Sequence, residues 1–311
     1  MILTKLFSQS ETFPIGLLGC GLVGSGLAKR LLESGRKICA YDPAPGVGAR
    51  IEDLGGSMLA SEEDVATRCR CLIFSLPGAT EVRTVVNRIL PVLQRGNIIV
   101  DTTTGDPDEV EAIAAELSEA GVFYLDATLG GSSRQIAEGE GIVICGGSAE
   151  TFAAMEPMLR TIASTVFHTG AAGSGTRMKL AMNLVLGLQR AALAEGLEFA
   201  RSSGIDPQLA LDVLKAGPAY SRAMDTKGPK MLSGNFEPEA RLAQHWKDVR
   251  LIQKSGLANG AALPLTEVHE TLLRAAADAG WGAEDNSAII KVFQRPLTSN
   301  VPHSKPRKPI I

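Results

Sequence analysis

Aromatic side chains are scarce, at only 5% of the chain, which argues against an aromatic-rich β-sandwich. Its 33 glycines, with abundant Ala, Leu and Val, suit an α/β fold instead. No apolar run approaches the length needed to span a bilayer, and Met1–Pro14 lacks both a continuous apolar stretch and a small-residue cleavage pattern. Neither a membrane segment nor a signal peptide is therefore expected. The net charge is only -3, and no long basic run precedes the tail, so a nucleic-acid footprint is absent.

Cysteine and histidine are also few. The five cysteines (Cys20, Cys39, Cys69, Cys71, Cys145) are odd in number. The pair around Cys69-Arg-Cys71 lacks a second Cys/His pair at ligand spacing, so no metal site is expected. Buried, reduced thiols in a cytoplasmic protein are the simpler reading. His168, His245, His269 and His303 have no adjacent nucleophile or carboxylate pattern, and solvated or structural roles are expected for them.

What remains is an ordinary globular balance, 45% hydrophobic and 21% charged, in 311 residues. That length exceeds one comfortable core, so two domains are expected. The first half alternates strands at Ile15–Leu18, Lys37–Tyr41, Cys71–Leu76, Ile98–Val100, Phe123–Leu125 and Ile142–Cys145 with helical stretches. Ser61 and Asp106-Pro107 read as helix starts. Such alternation implies parallel pairing in a doubly wound Rossmann-type sheet over residues 1–168. An all-α domain follows over 169–295, with helices at Ser174–Ser203, Pro207–Ala216, Tyr220–Leu232, Gln244–Gly256, Pro264–Ala279 and Asp285–Phe293. The first, roughly 45 Å long, is long enough to link the domains. Residues 296–311, rich in proline and basic residues, read as a loose tail.

Gly19-Cys-Gly21-Leu22-Val23-Gly24 follows an apolar strand and opens a helix. In such a loop the first glycine permits the tight turn, the second lets backbone approach a pyrophosphate, and the third packs helix on strand. Asp42 ends the next strand, where a carboxylate binds ribose hydroxyls and repels a 2′-phosphate. NAD is thus favoured, with NADP left open through Arg50. A second stretch, Met178-Lys179-Leu-Ala-Met182-Asn183, puts Lys179 and Asn183 four apart on one helical face among apolar neighbours. A lysine buried there would have its pKa lowered toward neutrality, although it could equally snorkel to solvent.

These two stretches, in this order, resemble the 3-hydroxyisobutyrate dehydrogenase-like (β-hydroxyacid dehydrogenase) family, over about residues 14–293. Leu76-Pro77 is similar to its cofactor-contacting Leu-Pro, and Asp101-Thr-Thr-Thr104 to its Asp-x-Ser-Thr stretch, with Thr104 near the nicotinamide. Asp126-Ala-Thr-Leu-Gly130-Gly131-Ser132 resembles the substrate loop Asp-Ala-Pro-Val-Ser-Gly-Gly, and Gly139 matches a glycine farther along it. Lys179 and Asn183 match the catalytic positions of Lys-x-x-Asn-Asn, and Lys247-Asp248 matches a Lys-Asp pair whose lysine lies near the cofactor. Three positions depart: Thr128 stands for proline, Gly130 for the loop serine and Met182 for the first asparagine.

The resemblance implies reversible hydride transfer between a nicotinamide and a small hydroxy acid, with Lys179 as general acid/base and Asn183 orienting substrate. Gly130, Gly131 and Ser132 would hold the substrate carboxylate, and a homodimer or homotetramer is expected. Other readings are a reductase of a small aldehyde acid (glyoxylate, succinic or tartronate semialdehyde), an imine reductase, a decarboxylating sugar-acid dehydrogenase, or a non-catalytic cofactor-binding module.

Overall fold

The computed structural model describes residues 13–294; the expected tail at 296–311 and His303 lie outside them. Eight strands form one sheet in the order β3-β2-β1-β4-β5-β6-β7-β8. They are β1 (Ile15–Leu18), β2 (Ile38–Tyr41), β3 (Ser57–Met58), β4 (Cys71–Phe74), β5 (Ile98–Asp101), β6 (Phe123–Gly130), β7 (Ile142–Gly146) and β8 (Thr165–Gly170). The strand cores are apolar on both faces, as a sheet covered on both sides requires. Ile15, Leu17, Ile73 and Val100 pack on one side with Leu27 and Leu31 of the Leu22–Glu33 helix and Leu159 of the Ala149–Ile162 helix. Leu18, Leu72, Phe74 and Ile99 pack on the other with Val85 and Ile113 of the Ala79–Ile89 and Pro107–Glu119 helices.

The order reverses direction between β1 and β4, and the carboxyl ends of strands at such a switch point are where doubly wound sheets bind ligands. The helix starts read from sequence hold. Ser61 Oγ accepts from Asp64 N, and Asp106 Oδ1 accepts from Asp108 N ahead of Pro107. All five cysteines are free and buried. Burial pushes the thiols of Cys20, Cys71 and Cys145 up to about 12.

The sheet departs from the expected one, beginning with two strands, β3 and β8, beyond the six read from sequence. The pairing is not wholly parallel: β7 runs antiparallel to β6, and β8 follows β7. In addition, β6 overshoots its neighbours. Its last partner on β5 is Asp126, opposite Asp101, so Ala127–Gly130 pair with β7 alone. Because β7 and β8 run backward, β8 ends at Gly170 beside Gly146, level with Asp126. The Ser174–Ser202 helix thus starts level with the carboxyl ends of β1, β4 and β5.

The described chain packs as two compact units, 13–184 with Asp248–Ala262, and Val185–Lys247 with 263–294. The second unit is helical, including Pro207–Ala216, Arg222–Ser233 and Pro264–Ala276. Its polar centre is Asp285, fully buried, which accepts from Lys227 Nζ at 3.0 and 2.9 Å and from Glu239 N, Ala240 N and Ser287 N. Among the described residues, no helix is long and apolar enough to cross a membrane.

Candidate active site

The glycine loop leaves β1 at its carboxyl end. Gly19 has φ +92°, and a Cβ there would lie 2.3 Å from Ser75 O, so both backbone and space demand glycine. A Cβ at Gly24 would lie 2.1 Å from Gly19 O, which fixes the close approach of helix to turn. At Gly21, by contrast, a Cβ would meet no atom of the protein within 4 Å. The protein's own packing does not require that glycine, and the space beside it is open to a ligand backed against the loop. Gly21 also begins the Leu22–Glu33 helix with no side-chain cap, and Leu22 beside it is 65% exposed. Uncapped first-turn amides suit a phosphate.

Asp42, at the end of β2, reaches across to this loop. Its Oδ2 accepts from Cys20 N at 2.7 Å and its Oδ1 from Ala44 N at 2.8 Å. Each oxygen keeps a lone pair for a sugar hydroxyl. From β4, Leu76 packs beside Gly19, and its amide donates to Thr103 Oγ1 at 3.2 Å. The turn after β5 is held by Asp101, whose oxygens accept from Thr103 N and Tyr124 OH at 2.9 and 2.7 Å, leaving Thr104 half-buried. Burial pushes the Asp101 carboxyl up to about 6 against those hydrogen bonds. Pro77 is exposed and Val23 half-buried. The residues fit a dinucleotide: a bend, an uncapped helix start and a carboxylate converge at the switch point. Among the described residues, no group of His, Cys, Asp or Glu could hold a metal ion.

The second cluster is built on the overshoot of β6. Asp126, buried, accepts from Gly173 N through Oδ1 at 2.9 Å and from Thr176 N through Oδ2 at 2.7 Å. It caps the start of the Ser174–Ser202 helix from a strand about fifty residues earlier. Thr128, in the motif's proline position, donates from Oγ1 toward Ile144 O and Gly175 O, both at 3.3 Å. Arg177 adds ion pairs to Glu111 and to Asp108. The helix then runs alongside the overshoot: seven residues from Gly175 to Met182 rise about 10 Å. Four strand residues from Asp126 to Gly130 span about 13 Å.

Met182 consequently meets Gly130; a Cβ at Gly130 would lie 2.9 Å from Met182 Cε. Lys179, three residues before Met182 and four before Asn183, shares that helical face. Asn183 is buried and donates from Nδ2 to Asp248 Oδ2 at 2.9 Å. The structure thus makes two contacts on the part of the helix that carries Lys179, Gly130 with Met182 and Asn183 with Asp248. Lys247, half-buried, is the last residue of the second unit's segment, immediately before Asp248.

The helix is less enclosed than its apolar sequence predicts. Lys179 is half-buried, and Met178 and Val185 are 46% and 51% exposed. Ser132 also has a structural task. It caps the short Ser133–Ala137 helix in a reciprocal box with Gln135, its hydroxyl 3.2 Å from Gln135 Oε1. Gly131 has φ +141° and is exposed. Sequence reasoning missed Asp126 as the anchor of the lysine helix, although an acid inside the run Phe123–Leu129 was a signal that it must have buried partners.

Residues 14–170 match the family model for the NAD binding domain of 6-phosphogluconate dehydrogenase, and residues 173–293 match that for NAD-binding of NADP-dependent 3-hydroxyisobutyrate dehydrogenase. L-Threonate dehydrogenase of Cupriavidus necator is 31% identical over 90% of this chain and 95% of its own length. The chain belongs to the 3-hydroxyisobutyrate dehydrogenase-like family. The 2-(hydroxymethyl)glutarate dehydrogenase of Eubacterium barkeri is 29% identical over 92% of this chain and 97% of its own. The crystal structure of 3-hydroxyisobutyrate dehydrogenase from Salmonella typhimurium superposes with a TM-score of 0.83 at 27% identity, covering 90% of this chain and all of that one. Membership makes this protein a nicotinamide-dependent oxidoreductase with a Rossmann cofactor domain.

Proposed function

We infer that this enzyme transfers hydride between NAD and the carbinol carbon of a short hydroxy acid of the 3-hydroxyisobutyrate type, with Lys179 as general acid/base. The observation that carries the reading is the Asp126 clasp, which starts the Lys179 helix level with the carboxyl ends of the strands bearing the glycine loop. When bound, the nicotinamide accepts the carbinol hydrogen with its electron pair. Lys179 Nζ takes the hydroxyl proton as the carbonyl forms and returns it in the reverse direction. Backbone amides at Gly130–Gly131, with Ser132, hold the substrate carboxylate. Asn183 orients the substrate through its amide, whose Nδ2 is fixed by Asp248. Thr104, Leu76 and Pro77 line the nicotinamide side. Asp42 takes the ribose hydroxyls and favours NAD over NADP.

Proton transfer by a positioned group contributes about 10²–10⁴-fold. Lys179→Ala is therefore expected to bind NAD with near-native affinity by calorimetry while kcat with 3-hydroxyisobutyrate falls by at least a hundredfold. Near-native turnover in that variant removes Lys179 from the chemistry.

A further inference from the structure

Gly130 lies inside β6 with a negative φ, so its conformation is one that any residue adopts. What excludes a side chain there is space. A Cβ would lie 2.7 Å from Ile142 Cγ1 and 2.9 Å from Met182 Cε, both nearer than real carbons approach. Met182 reaches Gly130 from the helix opposite, in the turn between Lys179 and Asn183. Its thioether methyl and the Ile142 side chain therefore occupy the volume that a residue at 130 would fill. Neither position offers a strong hydrogen-bonding side chain: glycine has none, and a thioether is a weak acceptor.

We propose that Met182, seated over Gly130 and backed by Ile142, is the specificity-determining wall of the substrate site. It accepts a short hydroxy acid with an alkyl branch and disfavours polyhydroxylated acids of the same carbon count. A methyl branch laid on this wall is removed from water against carbon. A hydroxyl laid there loses its water partners and gains none. An apolar pocket of this kind discriminates against an added hydroxyl by up to roughly a hundredfold. The inference rests on the hydroxy-acid reading given above.

The test uses the intact enzyme with NAD and two probes, 3-hydroxyisobutyrate and L-threonate. It measures kcat/KM for each by reduced-nicotinamide absorbance and binding to the NAD-loaded enzyme by calorimetry. The native enzyme is expected to prefer 3-hydroxyisobutyrate, and Met182→Asn to shift the ratio at least tenfold toward L-threonate. Met182→Leu, which keeps the wall apolar, should retain the native preference. Gly130→Ala should lower kcat/KM for 3-hydroxyisobutyrate severalfold in the native background and much less beside Met182→Ala, which vacates the shared space.

Because Gly130→Ala also strains packing against Ile142, its thermal midpoint is read in parallel. A folded variant with no coupling to position 182 counts against the wall. Turnover of 3-hydroxyisobutyrate with a ratio unmoved by Met182→Asn, or a native preference for L-threonate, overturns the proposal and leaves the dehydrogenase reading standing. Failure of both acids to bind or react, with NAD binding intact, overturns the substrate reading and the wall together.

Discussion

Asp126 and Thr176, fifty residues apart, are joined by a 2.7 Å hydrogen bond from the threonine amide to the carboxylate, with Gly173 on the other oxygen. Burial raises the Asp126 pKa while these amides oppose the shift, so the carboxylate depends on both donors. Asp126→Asn puts an NH₂ against one of them. An unsatisfied buried donor costs about 1–3 kcal/mol. Denaturant unfolding should register that loss, and kcat should fall with it because Lys179 sits one turn further along the helix.

Asp42→Asn tests cofactor choice without emptying the position. The amide oxygen still accepts from Cys20 N or Ala44 N, but the charge is gone. A like charge at contact costs about 1 kcal/mol even in water, and more when partly buried. The ratio of kcat/KM for NAD to that for NADP should fall about fivefold or more. An unchanged ratio would exclude the ribose contact.

Asn183 Nδ2 donates to Asp248 Oδ2, so on the reading proposed above Asp248 sets which end of the Asn183 amide is turned to substrate. Asp248→Ala should lower kcat/KM between about tenfold and a hundredfold through misorientation. The loss should be non-additive with Asn183→Ala in a double-mutant cycle. Additive losses would separate the two residues.

His245 and His269 share a buried site in the second unit, their ring centroids 5.2 Å apart. Burial, reinforced by Arg190, lowers the His269 pKa to about 4. The unfolded chain therefore binds more protons between pH 4 and 6.5, and stability is lost as pH falls through that window, by about 3 kcal/mol at most. Trp246 and Trp281 both lie in this unit, so tryptophan fluorescence in urea should follow the loss. His269→Leu should flatten the slope. A Cβ at Gly187 would lie 2.5 Å from both rings, so Gly187→Ala should cost about 1–3 kcal/mol by overpacking.

Much of the fold is legible in the sequence. The glycine loop, the helix it opens and the place of Asp42 after β2 follow from local spacing, and the Pro207–Ala216 helix begins and ends where its proline start and glycine stop indicate. The strand β3 escaped notice because two residues on a sheet edge leave no periodicity. The reversal of β7 left a trace that parallel alternation obscured. The link from Gly130 to Ile142 is shorter than the dozen or more residues a parallel crossover takes, so antiparallel return was the economical path. The contact of Met182 with Gly130 had no local signal, since it arises only when the overshoot of β6 and the rise of the helix bring both to one level.

The five concealed thiols make the sheet its own stopwatch. Cys39, Cys71 and Cys145 lie on β2, β4 and β7, Cys69 just ahead of β4, and Cys20 inside the glycine loop. An alkylating reagent reaches each only when its neighbourhood opens, so the order in which they are labelled in native buffer ranks the breathing of the strands. With its amide on Asp42, Cys20 should be the first to slow when dinucleotide is added.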